Sequence, residues 1–316
     1  MTDSPTLAER VLAGDPRAIA RTISLIEDED PCSADLVRQI FRASGRAYLI
    51  GVTGPPGAGK STLVDRLVFE IRKTGQSIGV IAVDPTSPFS GGAVLGDRLR
   101  MQAHAQDEGV FIRSMATRGH LGGLARATDE AALVLDAAGR DIIVIETVGV
   151  GQDEIDIVRT ADISIVTLVP GTGDEVQALK AGIMEIADIF VVNKSDRDGA
   201  DRLVAAVDAN LALGAFEPDQ WRPPVLKTMA TAGKGVSELV QAIWTFREHT
   251  AAARSARRRS RGEYRLRELV SQRFMQHLAD DILTAGEFSA IVDRIARREL
   301  DPYTAANDLL QRAIRS

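Results

Sequence analysis

The chain holds a single cysteine, Cys32, so no disulfide can close within it, and a reducing compartment is expected. Histidine is also scarce. His104, His120, His249 and His277 are scattered, without a second cysteine or a close histidine partner, which argues against a dedicated zinc or nickel site. Aromatic residues are only 4% of the 316, while alanine and valine are abundant, a balance that suits helices on a parallel sheet better than a β-sandwich. No apolar run approaches the roughly 20 residues needed to span a bilayer. The amino-terminal stretch lacks the charged-then-apolar order of a signal peptide, and its Asp3, Glu9 and Asp15 are unlike a transit peptide. A soluble, cytoplasmic protein is expected. A net charge of −6 gives no global attraction to nucleic acid or to anionic membrane, so neither is expected as a partner.

What the chain does have is pattern. With 45% hydrophobic residues it can bury a large core. Residues 1–45 read as helices: Leu7, Val11 and Leu12 share a face, Gly14-Asp15-Pro16 interrupts, Ile19, Ile23 and Ile26 resume the period, and a further helix is predicted over Ala34–Ala43. From Ala47 the pattern changes to short apolar runs alternating with longer amphipathic stretches. Strands are predicted at Tyr48–Thr53, Ile78–Val83, Val110–Ile112, Ile142–Ile145, Ile163–Val169, Ile189–Val192 and Val225–Lys227. Helices are predicted at Lys60–Lys73, Leu124–Ala138, Asp174–Ile186, Ala200–Leu213 and Val236–Thr250. Continuous apolar strands joined by helical crossovers imply an α/β fold with a mostly parallel sheet covered on both faces. After about Ala251 the strand pattern stops, and helices are predicted at Tyr264–Leu278, Phe288–Arg298 and Tyr303–Ile314, with little core of their own. The division expected is a helical extension at 1–45, an α/β domain at 46–250 and a helical region at 251–316.

The segment Gly54-Pro-Pro-Gly57-Ala58-Gly59-Lys60-Ser61-Thr62 matches G-x-x-x-x-G-K-[ST]. It lies between a predicted strand and a predicted helix, which is the context that gives the motif meaning. Glycines let the loop bend until its N–H groups converge on phosphate oxygens, and the helix amino terminus adds partial positive charge. Lys60 is expected to neutralise the β and γ phosphates and Ser61 to place its hydroxyl on Mg²⁺. The bland alternative, a Gly-rich turn with a chance lysine, does not account for the flanking strand and helix.

In open α/β sheets ligands bind at the carboxyl ends of strands. Asp84 and Glu146 stand at two such ends. Magnesium is held by one or two carboxylates besides phosphate oxygens and water, so both are candidates for its shell. Glu146-Thr-Val-Gly149 occupies the place of the Asp-x-x-Gly element of GTPases, with the Gly149 N–H as a sensor of the γ-phosphate. The stretch Ser87–Gly96 is rich in glycine and serine, and Asp97 at its end can complete the metal shell in the manner of a switch loop. Arg98 and Arg100 can reach phosphate oxygens or lie on a helix surface. Gln152 carries the nearest amide for orienting an attacking water.

The predicted strand Ile189–Val192 runs into Asn193-Lys194-Ser195-Asp196, the N-K-x-D pattern that reads guanine. The Asp196 carboxylate can accept the paired N–H donors of guanine, which adenine lacks, and the Lys194 stem can cover a face of the base. Thr228–Gly235 is the expected place of a further base-contacting loop. GTP is therefore favoured over ATP. Arg254, Arg257, Arg258, Arg259 and Arg261 form a basic cluster with only Tyr264 nearby, which reads as a solvated linker or helix face rather than a nucleic-acid site, with an interface to an acidic partner or second subunit as the other option.

The residues so assembled resemble one family closely: Gly51–Thr62, the long stretches Asp84–Arg98 and Arg113–Gly123, Glu146–Gln152 and Asn193–Asp196 are similar to the MeaB / methylmalonic aciduria type A G proteins, older members of which are labelled ArgK or LAO/AO transport kinase. The resemblance implies a P-loop GTPase domain of the class that includes the signal-recognition-particle and nickel-insertion GTPases (SIMIBI-like), flanked by amino- and carboxyl-terminal helices. It implies GTP and GDP with Mg²⁺ as ligands. Lys60, Asp97, Glu146 and Gln152 are the expected catalytic set, and Ser61, Asp84, Asp97 and Glu146 the metal set. Gly54, Gly57, Ala58, Gly59, Lys60, Ser61, Thr62, Gly149, Asn193, Lys194 and Asp196 are expected to contact nucleotide. It further implies a homodimer built through the carboxyl-terminal helices and a chaperone role toward an adenosylcobalamin-dependent acyl-CoA mutase, chiefly methylmalonyl-CoA mutase, with a cobalamin adenosyltransferase as a further partner. The stretch Pro170–Lys180 would relay nucleotide state to the mutase, with Asp174, Gln177 and Lys180 as contacts. Two other readings compete: a nickel-insertion GTPase, which would need a Cys/His tract, and a protein kinase of a transport system, which would need an acceptor.

Overall fold

Three parallel strands begin with the same step, an aspartate followed by an isoleucine, and each aspartate reaches across to the neighbouring segment. Asp141 accepts the Ser77 N–H at 2.8 Å, Asp162 the Leu49 N–H at 2.9 Å and Asp188 the Ser164 N–H at 2.8 Å. Hydrogen bonds to charged acceptors contribute about 1.5–3 kcal/mol each, and here they pin strand register at the amino ends, where a one-residue slip would turn each strand's faces over.

The computed structural model describes residues 5–84, 102–104, 106–116, 123–147, 160–171, 183–214, 216–217, 219–284 and 286–315. Its strands are β1 Tyr48–Thr53, β2 Ile78–Asp84, β3 Val110–Ala116, β4 Ile142–Glu146, β5 Ile163–Leu168, β6 Ile189–Val192 and β7 Val225–Lys227. They form one sheet in the order β3-β2-β4-β1-β5-β6-β7, every pairing parallel. The helices of this unit are α1 Leu7–Leu12, α2 Pro16–Glu27, α3 Ser33–Ile40, α4 Lys60–Arg72, α5 Gly123–Ala137, α6 Ile183–Ile186, α7 Ala200–Leu211 and α8 Val236–His249. Of the helix expected at Asp174–Ile186, only Ile183–Ile186 falls among the described residues.

Both faces of the sheet are buried, as continuous apolar strands require. Ile142 and Val144 face one core with Leu63, Leu67, Ile243 and Phe246 of α4 and α8, while Ile143 and Ile145 face another with Ile19, Ile23 and Ile26 of α2 and Val134 of α5. Farther along, Phe190 and Val192 pack with Leu203 and Val207 of α7. The amino-terminal helices therefore form part of a covering layer rather than an appendage. A capping box between Thr6 and Glu9 starts α1, and Asp15 caps α2 ahead of Pro16. Asp136 of α5 accepts the backbone N–H groups of Gly45, Arg46 and Ala47, fixing where the chain passes from that layer into β1.

β2 and β4 each run one residue past their expected ends, to Asp84 and Glu146, and one strand is longer by four. β3 continues past Ile112 through Arg113 and Ser114 to Ala116, because β2 pairs with it along its whole length. The polar residues hid this continuation from an apolar-run criterion.

Ala253–Ser316 form a second compact unit. Its helices are α9 Arg254–His277, α10 Glu287–Ala296 and α11 Pro302–Arg315, with a π-helical turn at Leu278–Ile282. Helix α9 starts ten residues before the expected Tyr264, so the arginine cluster is helical. Arginine and alanine are good helix formers even where apolar periodicity is missing. Arg258 and Arg259 are exposed, in keeping with a solvated helix face. Among the described residues no helix is long and apolar enough to cross a membrane.

Glu287 ties α10 to α11. It accepts from Arg312 at 2.6 Å and from both the N–H and the hydroxyl of Thr284 at 3.0 Å. The Arg312 guanidinium first, and the two Thr284 donors after it, hold the Glu287 carboxyl down to about 2. A depressed carboxylate contributes stability that is complete above its ordinary value and lost as pH falls through the folded one. Glu287→Gln is therefore expected to melt earlier than the wild type at pH 7, with the deficit shrinking as the pH falls from about 4.5 toward 2; circular dichroism melts across that range test this.

Candidate functional site

β1 delivers the chain to the phosphate loop at the carboxyl edge of the sheet. Gly54 leaves the strand at φ 136°, and a Cβ there would lie 2.0 Å from the Thr167 carbonyl oxygen of β5, so only glycine fits between the paired strands. Gly59 has φ 86°, and a Cβ there would meet the Asn193 amide nitrogen at 2.6 Å. Helix α4 then begins at Lys60, its amino terminus aimed at the loop.

Lys60 is 6% exposed, and its ammonium donates to the carbonyls of Gly54 at 2.7 Å and Pro55 at 3.1 Å. A buried cation inside a glycine loop is a ready counter-charge for phosphate. Ser61 donates its hydroxyl to Glu146 Oε1 at 2.6 Å, and Glu146 is 4% exposed at the end of β4. Register explains the meeting: Val52 of β1 and Ala82 of β2 flank Glu146 on either side. Asp84 lies two residues beyond Ala82, at the end of β2 opposite Ala116. A serine hydroxyl and a buried carboxylate are hard oxygen donors, the set that suits a small divalent cation such as magnesium. Behind them the hydroxyls of Thr147 and Thr53 bond each other at 2.9 Å.

The tetrad after β6 comes back to the same loop. Asn193, 1% exposed, donates to the Ala58 carbonyl at 2.9 Å and accepts from the Thr228 hydroxyl at 3.0 Å and the Ala230 N–H at 3.1 Å. Lys194, at φ 55°, donates to the Gly57 carbonyl at 2.7 Å. The Ser195 N–H bonds the Thr228 carbonyl at 3.0 Å, and Asp196 stands exposed in the same turn. Elements some 130 residues apart in sequence thus share one edge: Asn193 and Ala58 are 135 positions apart. The loop expected at Thr228–Gly235 joins them through Asn193.

Of the expected site residues, Gly54, Gly57, Ala58, Gly59, Lys60, Ser61, Glu146, Asn193 and Lys194 are brought together, Thr62 lies in the first turn of α4, Asp84 is the last residue of β2, and Asp196 lies in the turn after β6. Asp97, Arg98, Arg100, Gly149, Gln152, Asp174, Gln177 and Lys180 lie outside the described residues. Sequence reasoning did not anticipate Thr167, whose carbonyl dictates Gly54, nor the Thr53–Thr147 pair. Thr167 lies in no motif, Thr53 stands just ahead of one, and Thr147 falls at an unspecified position of another.

A parallel sheet with a glycine loop, a buried lysine and an Asn-Lys-x-Asp tetrad at one edge defines a P-loop nucleotide-binding protein. The family model described as methylmalonyl Co-A mutase-associated GTPase MeaB matches residues 19–282. The chain is 51% identical, over 98% of its length and 96% of the other, to a Pyrococcus abyssi protein with a provisional GTPase name. It is 36% identical to the GTPase ArgK of Escherichia coli, covering 88% of each chain. It is 32% identical to the mouse methylmalonic aciduria type A homolog, covering 97% of this chain and 78% of that one. Among solved structures, that of a LAO/AO transport system kinase superposes with a TM-score of 0.74 at 27% identity, covering 98% of this chain and 97% of the other. The chain belongs to the MeaB family of GTPases; it binds guanine nucleotide and hydrolyses GTP.

Because the Thr167 carbonyl belongs to a strand paired with β1, it cannot retreat from an added methyl group. Gly54→Ala is expected to cost on the order of 4 kcal/mol of stability and to abolish nucleotide binding; urea unfolding and fluorescent-GDP titration measure the two effects.

Proposed function

We propose that this GTPase is a nucleotide-gated chaperone of an adenosylcobalamin-dependent acyl-CoA mutase, methylmalonyl-CoA mutase or a relative, which controls loading of intact cofactor and protects or reactivates the mutase. The observation that carries this reading is the family match over residues 19–282, whose description couples a GTPase to that mutase. The name of the mouse relative, drawn from methylmalonic aciduria, points the same way. A cobalamin adenosyltransferase is the further partner such a role would require.

In this reading the Lys60 ammonium, buried within the loop, neutralises charge on the β and γ phosphates, and the α4 amino terminus faces them. Ser61 and Glu146, joined at 2.6 Å, are the inner pair of a magnesium site that Asp84 and Asp97 complete. Magnesium, when bound by these residues, would supply neutralisation of the phosphate charge. The Gly149 N–H senses the γ-phosphate and Gln152 orients the attacking water. Asp196 reads the guanine N–H pair, held in place by the Asn193 and Lys194 bonds to the phosphate loop.

Residues 251–316 serve as the homodimer region. Support comes from the apolar side chains that unit 253–316 leaves exposed, among them Leu266, Val270, Phe288, Val292 and Ile314.

Purified protein with a methylmalonyl-CoA mutase is expected to form a complex whose affinity differs between GDP and a non-hydrolysable GTP analogue, with GTP turnover raised on binding. The Lys60→Ala variant is expected to lose both effects. No complex in either nucleotide state, in size-exclusion or pull-down assays, would sink the chaperone role. Labelled γ-phosphate on a protein, rather than free in water, would favour the kinase reading instead. Asp196→Asn is expected to lose roughly a hundredfold of the GTP-over-ATP preference, read as the ratio of kcat/KM for the two nucleotides.

A further inference from the structure

Arg113 sits on the inward face of β3, between Phe111 and Met115, both of which pack into the core beneath the amino-terminal helices. β3 is one of the two edge strands of the sheet. The guanidinium reaches α2, where it bonds Glu27 Oε2 through both Nε, at 3.1 Å, and its terminal nitrogen, and the Ser24 hydroxyl at 3.0 Å. The Arg113 and Glu27 side chains keep only 17% and 9% of their surface. Two residues past Glu27, Glu29 takes Arg126 of α5 at 3.0 Å. The carboxyl end of α2 thus grips both β3 and α5.

A charge pair this buried is costly to desolvate, and an apolar pair of similar volume would cover the same face at no loss of stability. The pair is therefore better explained by a demand for placement. What it places is legible from register: three residues past Arg113, Ala116 lies beside Asp84, and Ile81, opposite Arg113, precedes Asp84 on the same strand. We infer that Glu27 and Arg113 are positioning residues for GTP hydrolysis, which hold the β2–β3 edge and with it the depth at which β2 ends in Asp84, two residues past the Ala82 that pairs with Glu146. The inference rests on the reading of Asp84 as part of the magnesium shell. It gives the amino-terminal helices a share in the hydrolytic cycle without contact to nucleotide.

The test is the double variant Glu27→Leu/Arg113→Leu, assayed for GTP turnover against magnesium concentration. It is expected to fold and melt close to the wild type. Its kcat should fall about tenfold, its magnesium requirement should rise by a similar factor, and its KM for GTP should stay within about twofold, since misplacement far from the chemistry reaches the rate through geometry. Arg113→Lys, which keeps a donor for Glu27, is expected to recover most of the loss. Wild-type kcat and magnesium dependence in the double variant, or a rate loss that only follows lowered Tm, would overturn the inference. If the double variant does not fold, Glu27→Gln carries the same test with the same readouts. Asp84→Asn, run alongside, separates the two claims: an unchanged magnesium requirement there removes the metal reading itself, whereas a changed one with a normal double variant removes only the positioning role.

Discussion

One buried amide organises the nucleotide edge of this protein. Asn193 uses its donor on the phosphate loop and its acceptor on the turn after β7, so three loops from distant parts of the chain are set by one planar group. Its polar atoms are sealed from water, and a lost partner would leave a buried polar group unsatisfied at a cost of about 1–3 kcal/mol. One side chain therefore ties the loops to one another. Gly59 shows the closeness of the arrangement, since a methyl group there would strike the amide. The tetrad after β6 and the phosphate loop are in this sense one object.

Around that edge the sheet is fixed by charge as much as by apolar packing. Aspartates at the amino ends of β4, β5 and β6 accept neighbouring N–H groups and lock register, and register is what brings Glu146 between β1 and β2. At the sheet edge an arginine does comparable work from within, holding β3 to the amino-terminal layer. Stability and site geometry thus share residues.

The elements that sequence made legible were those whose signal is local. Strands β1, β6 and β7 fall at their expected limits, because each is a short apolar run between turn residues, and α4 is announced by the phosphate loop ahead of it and Gly75 behind it. The site motifs were legible for the same reason, since Gly54–Thr62 and Asn193–Asp196 are contiguous. Two features were hidden. β3 reads as a strand only to Ile112, because Arg113 and Ser114 look like an exit to solvent until Glu27 and Ser24 are placed against them. Helix α9 reads as beginning at Tyr264, because nothing apolar marks its first turns.

The amino-acid sequence alone determined that this is a parallel α/β protein with a phosphate loop, a candidate metal serine and a guanine tetrad, because periodicity and contiguous motifs express themselves within a few residues. Only the tertiary structure decided that Ser61 meets Glu146, that Asn193 closes onto Ala58, and that the amino-terminal helices belong to the core and grip the strand beside Asp84. Those contacts join residues 85 or more positions apart. They follow from strand order and register, which many sequences of the same local pattern could satisfy differently, and which the buried aspartate, asparagine and arginine bonds select.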